Sequence, residues 1–183
     1  MLGRARANAS EAGVEFEVLE ADIRSLDLGE RQFGLILITG NSLQHLSTTD
    51  DILQCLRAAA RHLTHGGALI FDVFNPGVHL LAHHAGQRHL INHFEHERLG
   101  ELTLEETDDY DAASQINYAT WYWSAPDKPD FLVTPLHLRQ LFPQELPLLI
   151  ALGRFRLVAR YGDFDRSSFD SWSRRQVCVC EPI

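Results

Sequence analysis

Between Phe33 and Phe74 the chain lays out a strand, a loop, a capped helix and a second strand, and this order constrains the fold more than any other feature. Phe33 to Thr39 is a continuous apolar run, the pattern of a strand buried on both faces of a parallel sheet. Thr48-Thr-Asp-Asp51 matches a capping box. Ile52, Leu53, Leu56, Ala59, Ala60 and Leu63 then recur at helical spacing, and Gly66-Gly67 is expected to end the helix. Ala68 to Phe74 is a second apolar run, closed by Asn75-Pro-Gly77. Such a β–α–β unit requires parallel strands joined by a right-handed crossover.

The flanks follow from their own periods. Leu2, Ala5, Ala9 and Ala12 give a weak helical stripe ending at Gly13, and Val14 to Val18 alternates apolar and charged residues like a strand with one wet face. From about residue 88 the pattern changes to alternating, aromatic-rich segments over residues 93–99, 101–110, 115–124 and 131–138. Gly100, Asp111-Ala-Ala-Ser114 and Pro126-Asp-Lys-Pro129 separate them, so an antiparallel meander is expected. A helix over residues 143–152 and closing strands over 155–161 and 176–180 complete the chain. The 183 residues fit a single domain: a parallel α/β part (1–77), a β insertion (78–140), and a closing helix and strands (141–183).

Composition excludes several partners. A net charge of −9 with no Lys/Arg block disfavours nucleic acid. No run of 18 apolar residues exists to span a membrane, and the N-terminus lacks the apolar core of a secretory signal. Cys55, Cys178 and Cys180 form no CxxC pair; Cys178 and Cys180, two apart on a strand, share one face for packing. This usage fits a reducing, cytoplasmic compartment.

Ligands of open parallel sheets lie beyond the carboxyl ends of the strands. Three segments end there with suitable groups: Ala21-Asp22-Ile23, Thr39-Gly40-Asn41, and Asp72 to Asn75. Gly40 lets a ligand approach the backbone, and Asp22 can accept from an amine or hydroxyl, so an amine-bearing ligand suits this rim better than a polyphosphate. His45 is either a general base or a hydrogen-bonded loop residue. Trp121 and Trp123 share a strand face and offer a substrate wall, a cation–π surface or core packing. Arg139 would pair with an acidic substrate group or a nearby carboxylate. His79, His83, His84, His89, His93 and His96 tempt a metal reading. No Cys or HExxH signature accompanies them and a strand would scatter them, so no metal is expected.

The ordered set ADIR (21–24), FGLILITGNSLQHL (33–46), HLTHGGALIFDVFNP (62–76), LRQLFPQEL (138–146) and YGDFD (161–165) resembles class I S-adenosylmethionine-dependent methyltransferases, in the small-molecule branch with a late β insertion. The resemblance implies a Rossmann-like α/β fold with S-adenosylmethionine as cofactor and a small-molecule methyl acceptor. It implies that Asp22 and Ile23 meet the adenine, and that Thr39, Gly40 and Asn41 contact the methionine part. Leu46, Asn75, Trp121, Trp123 and Arg139 would then bound the acceptor pocket, with His45 as the catalytic candidate.

The family's glycine-rich GxGxG motif, and the acidic residue that holds the ribose, have no counterpart in this chain. In the family's sheet order, 3-2-1-4-5-7-6, the strands that carry them would lie between Val14–Leu19 and Phe33–Thr39. The expectation is therefore an N-terminally incomplete methyltransferase domain, impaired or inactive alone and a weak binder of S-adenosylhomocysteine. Val14–Leu19 would pair with Phe33–Thr39, a second copy would complete the sheet as a homodimer, or the N-terminal third would stay loose. The alternative is a non-catalytic methyltransferase-like binding or interaction module. A nicotinamide-dependent oxidoreductase fares worst, since GxGxxG is equally absent.

Overall fold

A computed structural model describes residues 2–77, 81–82 and 86–183. The helix signal of the sequence is met at its N-terminus. Thr48 caps α2 (Thr49–Arg61), its hydroxyl accepting the Asp51 amide and donating to the Asp51 carboxylate. The apolar stripe of α2 then buries Ile52, Leu53, Cys55, Leu56 and Ala59 against a sheet.

The helix stops earlier than Gly66-Gly67. His62 follows Arg61, and β2 (Leu63–Phe74) begins one residue later, so the glycine pair lies inside the strand. The reason is a bulge: pairing with β1 (Phe33–Ile38) jumps from Phe33↔Leu63 to Leu35↔Ala68. Gly66 takes φ +78°, and a Cβ on Gly67 would stand 3.1 Å from the Phe33 carbonyl. Glycine therefore serves a left-handed turn and a close approach here, not a helix cap.

Strands β1 and β2 are parallel, as expected. β9 (Arg175–Pro182) runs antiparallel to β2, and β8 (Phe155–Tyr161) antiparallel to β9, giving the order β1-β2-β9-β8. This equals 4-5-7-6, the second half of the seven-strand order quoted above. One face of this sheet carries Leu69, Phe71, Val73, Cys178 and Cys180, closed by α2 and by α3 (Leu146–Leu152). The two strand cysteines share that buried face, as their spacing predicts.

Two expectations fail in the N-terminal third. β1 is buried on one face only: Ile36 and Ile38 pack on the core, while Leu35 and Leu37 are 51% and 56% exposed. Among the described residues no strand pairs with its outer edge. Val14–Val18 forms no strand, and Val14, Phe16 and Leu19 stand in solvent. An alternating segment without a ladder partner leaves its backbone groups to water, and pattern alone does not make it a strand. α1 (Leu2–Ala12) is present as expected but buries no residue.

The meander forms a second sheet. β3 (His89–His96), β4 (Gly100–Thr107) and β6 (Ile116–Ala125) are antiparallel neighbours. β5 (Tyr110–Asp111) continues the β4 side of β6, and β7 (Lys128–Arg139) lines its other side. Pro129 and Pro135 are tolerated because β7 is an edge strand. At the far end, a 3-10 turn (Ser42–His45) joins the two sheets. The Gln44 side chain donates to the Arg139 carbonyl at 2.9 Å and accepts the Phe74 amide at 2.7 Å. No helix among the described residues is long and apolar enough to cross a membrane.

Candidate functional site

The carboxyl ends of β1 and β2 lie side by side in the parallel pair. β1 runs out through Thr39 into Gly40 and Asn41, both left-handed at φ +69° and +58°. Asp72, fully buried on β2, accepts the Gly40 amide at 2.8 Å and lies 3.4 Å from the Arg175 guanidinium. A Cβ added at Gly40 would meet nothing within 4 Å, so the strand end faces open space. Beside it, Asn41 Oδ1 is buried and accepts no hydrogen bond; only Asn117 Oδ1 shares that condition among the described residues. A buried carbonyl without a donor costs about 1–3 kcal/mol, and a ligand N–H would relieve it. The Ser42 hydroxyl donates to the Thr39 carbonyl at 2.6 Å and fixes the turn.

Asp22 and Ile23 sit on an exposed turn. Arg24 folds back on Asp22 through Nε and Nη2, while its Nη1 reaches Asp51 Oδ1 at 3.0 Å, tying the turn to the first turn of α2. Hydrogen bonds from the Arg24 side chain and backbone hold the Asp22 carboxyl at about 2.

The remaining candidates separate. His45 is exposed on the 3-10 turn, whereas Leu46 is packed in the core. Asn75 donates its side-chain amide to the Ser173 carbonyl at 2.9 Å. Arg139 is committed internally, to Glu145 at 2.7 Å and to the Gln140 carbonyl at 2.7 Å, which is the nearby-carboxylate alternative and not an open anion site. Trp121 and Trp123 share a face, ring centroids 6.4 Å apart at 80°, with Phe94 5.5 Å from Trp123.

The histidine series is scattered, as a strand requires. His89 approaches Glu106 and Asp108, His93 approaches Glu101, and His96 accepts the Arg98 and Leu99 amides at a turn. His79, His83 and His84 lie outside the described residues.

Sequence reading reached Thr39, Gly40 and Asn41 through the abrupt end of an apolar run. It missed Gln44, whose burial between two backbone segments is set by tertiary contacts 95 residues apart. Glu145 was equally silent, lying six residues from Arg139 across a turn. Asp72 did leave a signal, as the single acid within LIFDVF.

Residues 1–67 match the family model described as a methyltransferase domain. Curated protein sequences give no match. Among solved structures, the CcbJ methyltransferase from Streptomyces caelestis is 26% identical with a TM-score of 0.86, covering 100% of this chain and 75% of that one. An S-adenosylmethionine-dependent methyltransferase from Clostridium acetobutylicum is 14% identical with a TM-score of 0.81, covering 99% and 70%. The sugar N-methyltransferase KedS8 from Streptoalloteichus is 20% identical with a TM-score of 0.64, covering 97% and 68%. The chain thus has the fold of class I methyltransferases, and its first 67 residues match the model of a methyltransferase domain.

Proposed function

We propose that this protein serves S-adenosylmethionine-dependent methyl transfer to a small-molecule acceptor. The observation that carries the reading is the strand end where Asn41 Oδ1 is buried without a donor beside the open space above Gly40. A ligand ammonium group fits that oxygen, beside the Gly40 amide that Asp72 holds in place. When bound, S-adenosylmethionine supplies a methyl group on a sulfonium with a thioether as leaving group. The protein's share is alignment of donor and acceptor.

In this reading Thr39, Gly40 and Asn41 hold the methionine part, and Asp22 with Ile23 meets the adenine. His45, exposed on the turn that follows, takes the proton that the acceptor loses. Asn75, Trp121 and Trp123 bound the acceptor side, with Leu46 and Arg139 supporting it from behind. In a division into an α/β part (1–77), a β insertion (78–140) and a closing segment (141–183), Trp121 and Trp123 stand on a different sheet from the Gly40–Asn41 strand end. Three buried cysteines without disulfides support a cytoplasmic setting.

The chain as it stands is a weak cofactor binder, because among the described residues β1 is paired on one side only and Asp22 is engaged by Arg24. That same open edge admits a second copy, and it supports a rival reading, a non-catalytic interaction module. Calorimetry with S-adenosylhomocysteine decides, run on this chain and on a form extended at its N-terminus. Weak binding by the chain and tight binding by the extended form, lost in Asn41→Ala, supports the enzyme reading. No binding by either form favours the module, and a micromolar monomeric Kd for this chain overturns the impairment.

A further inference from the structure

Asn117, on β6 of the second sheet, holds a buried oxygen without a donor. Its Oδ1 accepts no hydrogen bond, a condition that only Asn41 Oδ1 shares among the described residues. One such oxygen thus stands at the end of β1 and the other on the meander.

Strand pairing fixes the face on which Asn117 stands. Residues directly opposite in an antiparallel pair share a face. Asn117 pairs with Tyr110 on β5 and Leu138 on β7, while Trp121 pairs with Glu106 on β4 and Thr134 on β7. The register does not shift between these pairs, so Asn117, Ala119, Trp121 and Trp123 line one face. It is the sheltered face of the sheet. Along β7, Thr134, Leu136 and Leu138 on this side are half-buried, whereas Val133, Pro135 and His137 on the other side are exposed.

The position along β6 matters equally. Ile116 pairs with Arg139, whose carbonyl accepts the Gln44 side chain, so Asn117 is the first residue on this face of β6 beyond the junction with the Ser42–His45 turn. A ligand between the parallel strand ends and the Trp121–Trp123 surface passes this point. A carbonyl oxygen taken out of water without a donor is costly, and a ligand N–H relieves that cost. Glu106 and Asp108, ion-paired with the single imidazole of His89, also belong to this side of the sheet and disfavour an anionic ligand.

We propose that Asn117 is a specificity-determining residue: its side-chain oxygen accepts an N–H from an amine on the acceptor, whose ring or apolar body lies along Trp121 and Trp123. The inference rests on the reading of the protein as a methyltransferase and names the acceptor class as an amine that still carries hydrogen on nitrogen. The two indoles alone would take any organic cation, a quaternary ammonium included. Asn117 adds the requirement for a donor, so a fully substituted nitrogen is rejected.

The test compares benzylamine with benzyltrimethylammonium, which share ring and charge but differ in N–H donors. Both are titrated into the full chain and followed by NMR of the indole N–H groups. Trp172, 88% exposed and outside the second sheet, reports non-specific effects. Benzylamine should shift the Trp121 and Trp123 signals saturably and leave Trp172 in place, and it should bind about tenfold or more tighter than the quaternary probe. Asn117→Leu should abolish that preference while its Tm stays level or rises, because the orphaned oxygen is gone. Equal affinity for the two probes, or no saturable shift, overturns the proposal. So does a preference that survives Asn117→Leu, or a lowered Tm in that variant, which would mark Asn117 as structural. If Asn117→Leu fails to fold, the comparison of the two probes on the unaltered chain decides alone. The methyltransferase reading fails separately, by absence of S-adenosylhomocysteine binding in both the chain and its extended form; a benzylamine preference that depends on Asn117 would then mark an amine site without methyl transfer and overturn the acceptor role.

Discussion

The side-chain amide of Gln44 donates to the carbonyl of Arg139, 95 residues further along the chain, while its oxygen accepts the Phe74 amide. One fully buried side chain therefore fastens the end of β7 in the meander to the end of β2 in the parallel unit. Gln44→Ala would leave a backbone N–H and a backbone C=O without partners in the interior, a cost of about 2–4 kcal/mol. Denaturant unfolding should show that loss. Gln44→Glu should also destabilise, since a carboxylate cannot donate to the Arg139 carbonyl. A loss below about 0.5 kcal/mol in Gln44→Ala would show that the sheets are held together elsewhere.

The Asp22 carboxyl is depressed to about 2 by Arg24, from an ordinary value of 3.8. A depressed carboxylate contributes stability that is complete above its unfolded value, here above about pH 4, and lost as pH falls through about 2. Arg24→Ala should return the Asp22 titration to the ordinary carboxylate range, as read by carbon NMR of the carboxyl group. A low midpoint that persists in Arg24→Ala would assign the effect to another donor.

All three cysteines are buried, and burial pushes Cys55 up to about 11 and Cys178 up to about 12. At pH 8 only about a thousandth of Cys55 would be thiolate even with full access, and the thiolate is the reactive form. Labelling with a thiol reagent should be negligible in the native protein and complete in denaturant. Rapid native labelling of one cysteine would mean that α2 or β9 opens locally.

Leu35 and Leu37 lie exposed on β1, whose outer edge has no paired strand among the described residues. Bare apolar edges invite association. The protein should elute with a concentration-dependent mass, and the double change Leu35→Lys with Leu37→Lys should return it to a monomer. A wild-type protein that is monomeric at every concentration would remove this edge as a contact.

His45 is exposed on the 3-10 turn beyond Asn41. If it accepts the acceptor's proton, His45→Asn in a catalytically competent form should lower kcat far more than it raises the cofactor KM. The acid limb of the pH profile should vanish with it. Unchanged kcat would leave His45 a surface residue.

Local signals read true where their cause was local. The Thr48 cap, the α2 stripe, the turn at Asp111 and the alternation in β4 and β6 each follow from neighbours within a few residues. The strand end at Thr39 was legible because an apolar run stops at a glycine and an asparagine, which the structure turns through positive φ. Val14–Val18 and β1 misled because alternation and apolarity describe what a segment needs, and the need is met only where another element supplies the partner. Gly66-Gly67 misled for a different reason: a glycine pair after a helix reads as a cap, and only the register of β1 against β2 shows it to be a bulge. The ion pairs of His89 with Glu106 and Asp108 stayed hidden because they form through strand pairing, which sequence spacing does not display.

The turn that carries Asp22 and Ile23 touches α2 through Arg24 and Asp51, a string of half-exposed charges. It is moored by ions where the rest of the parallel unit is held by packing. Salt screens such contacts and leaves a buried core nearly untouched. Ionic strength is therefore the solvent variable that separates the two: high salt should free the adenine side of the proposed site while the core of α2, β2 and β9 keeps its shape.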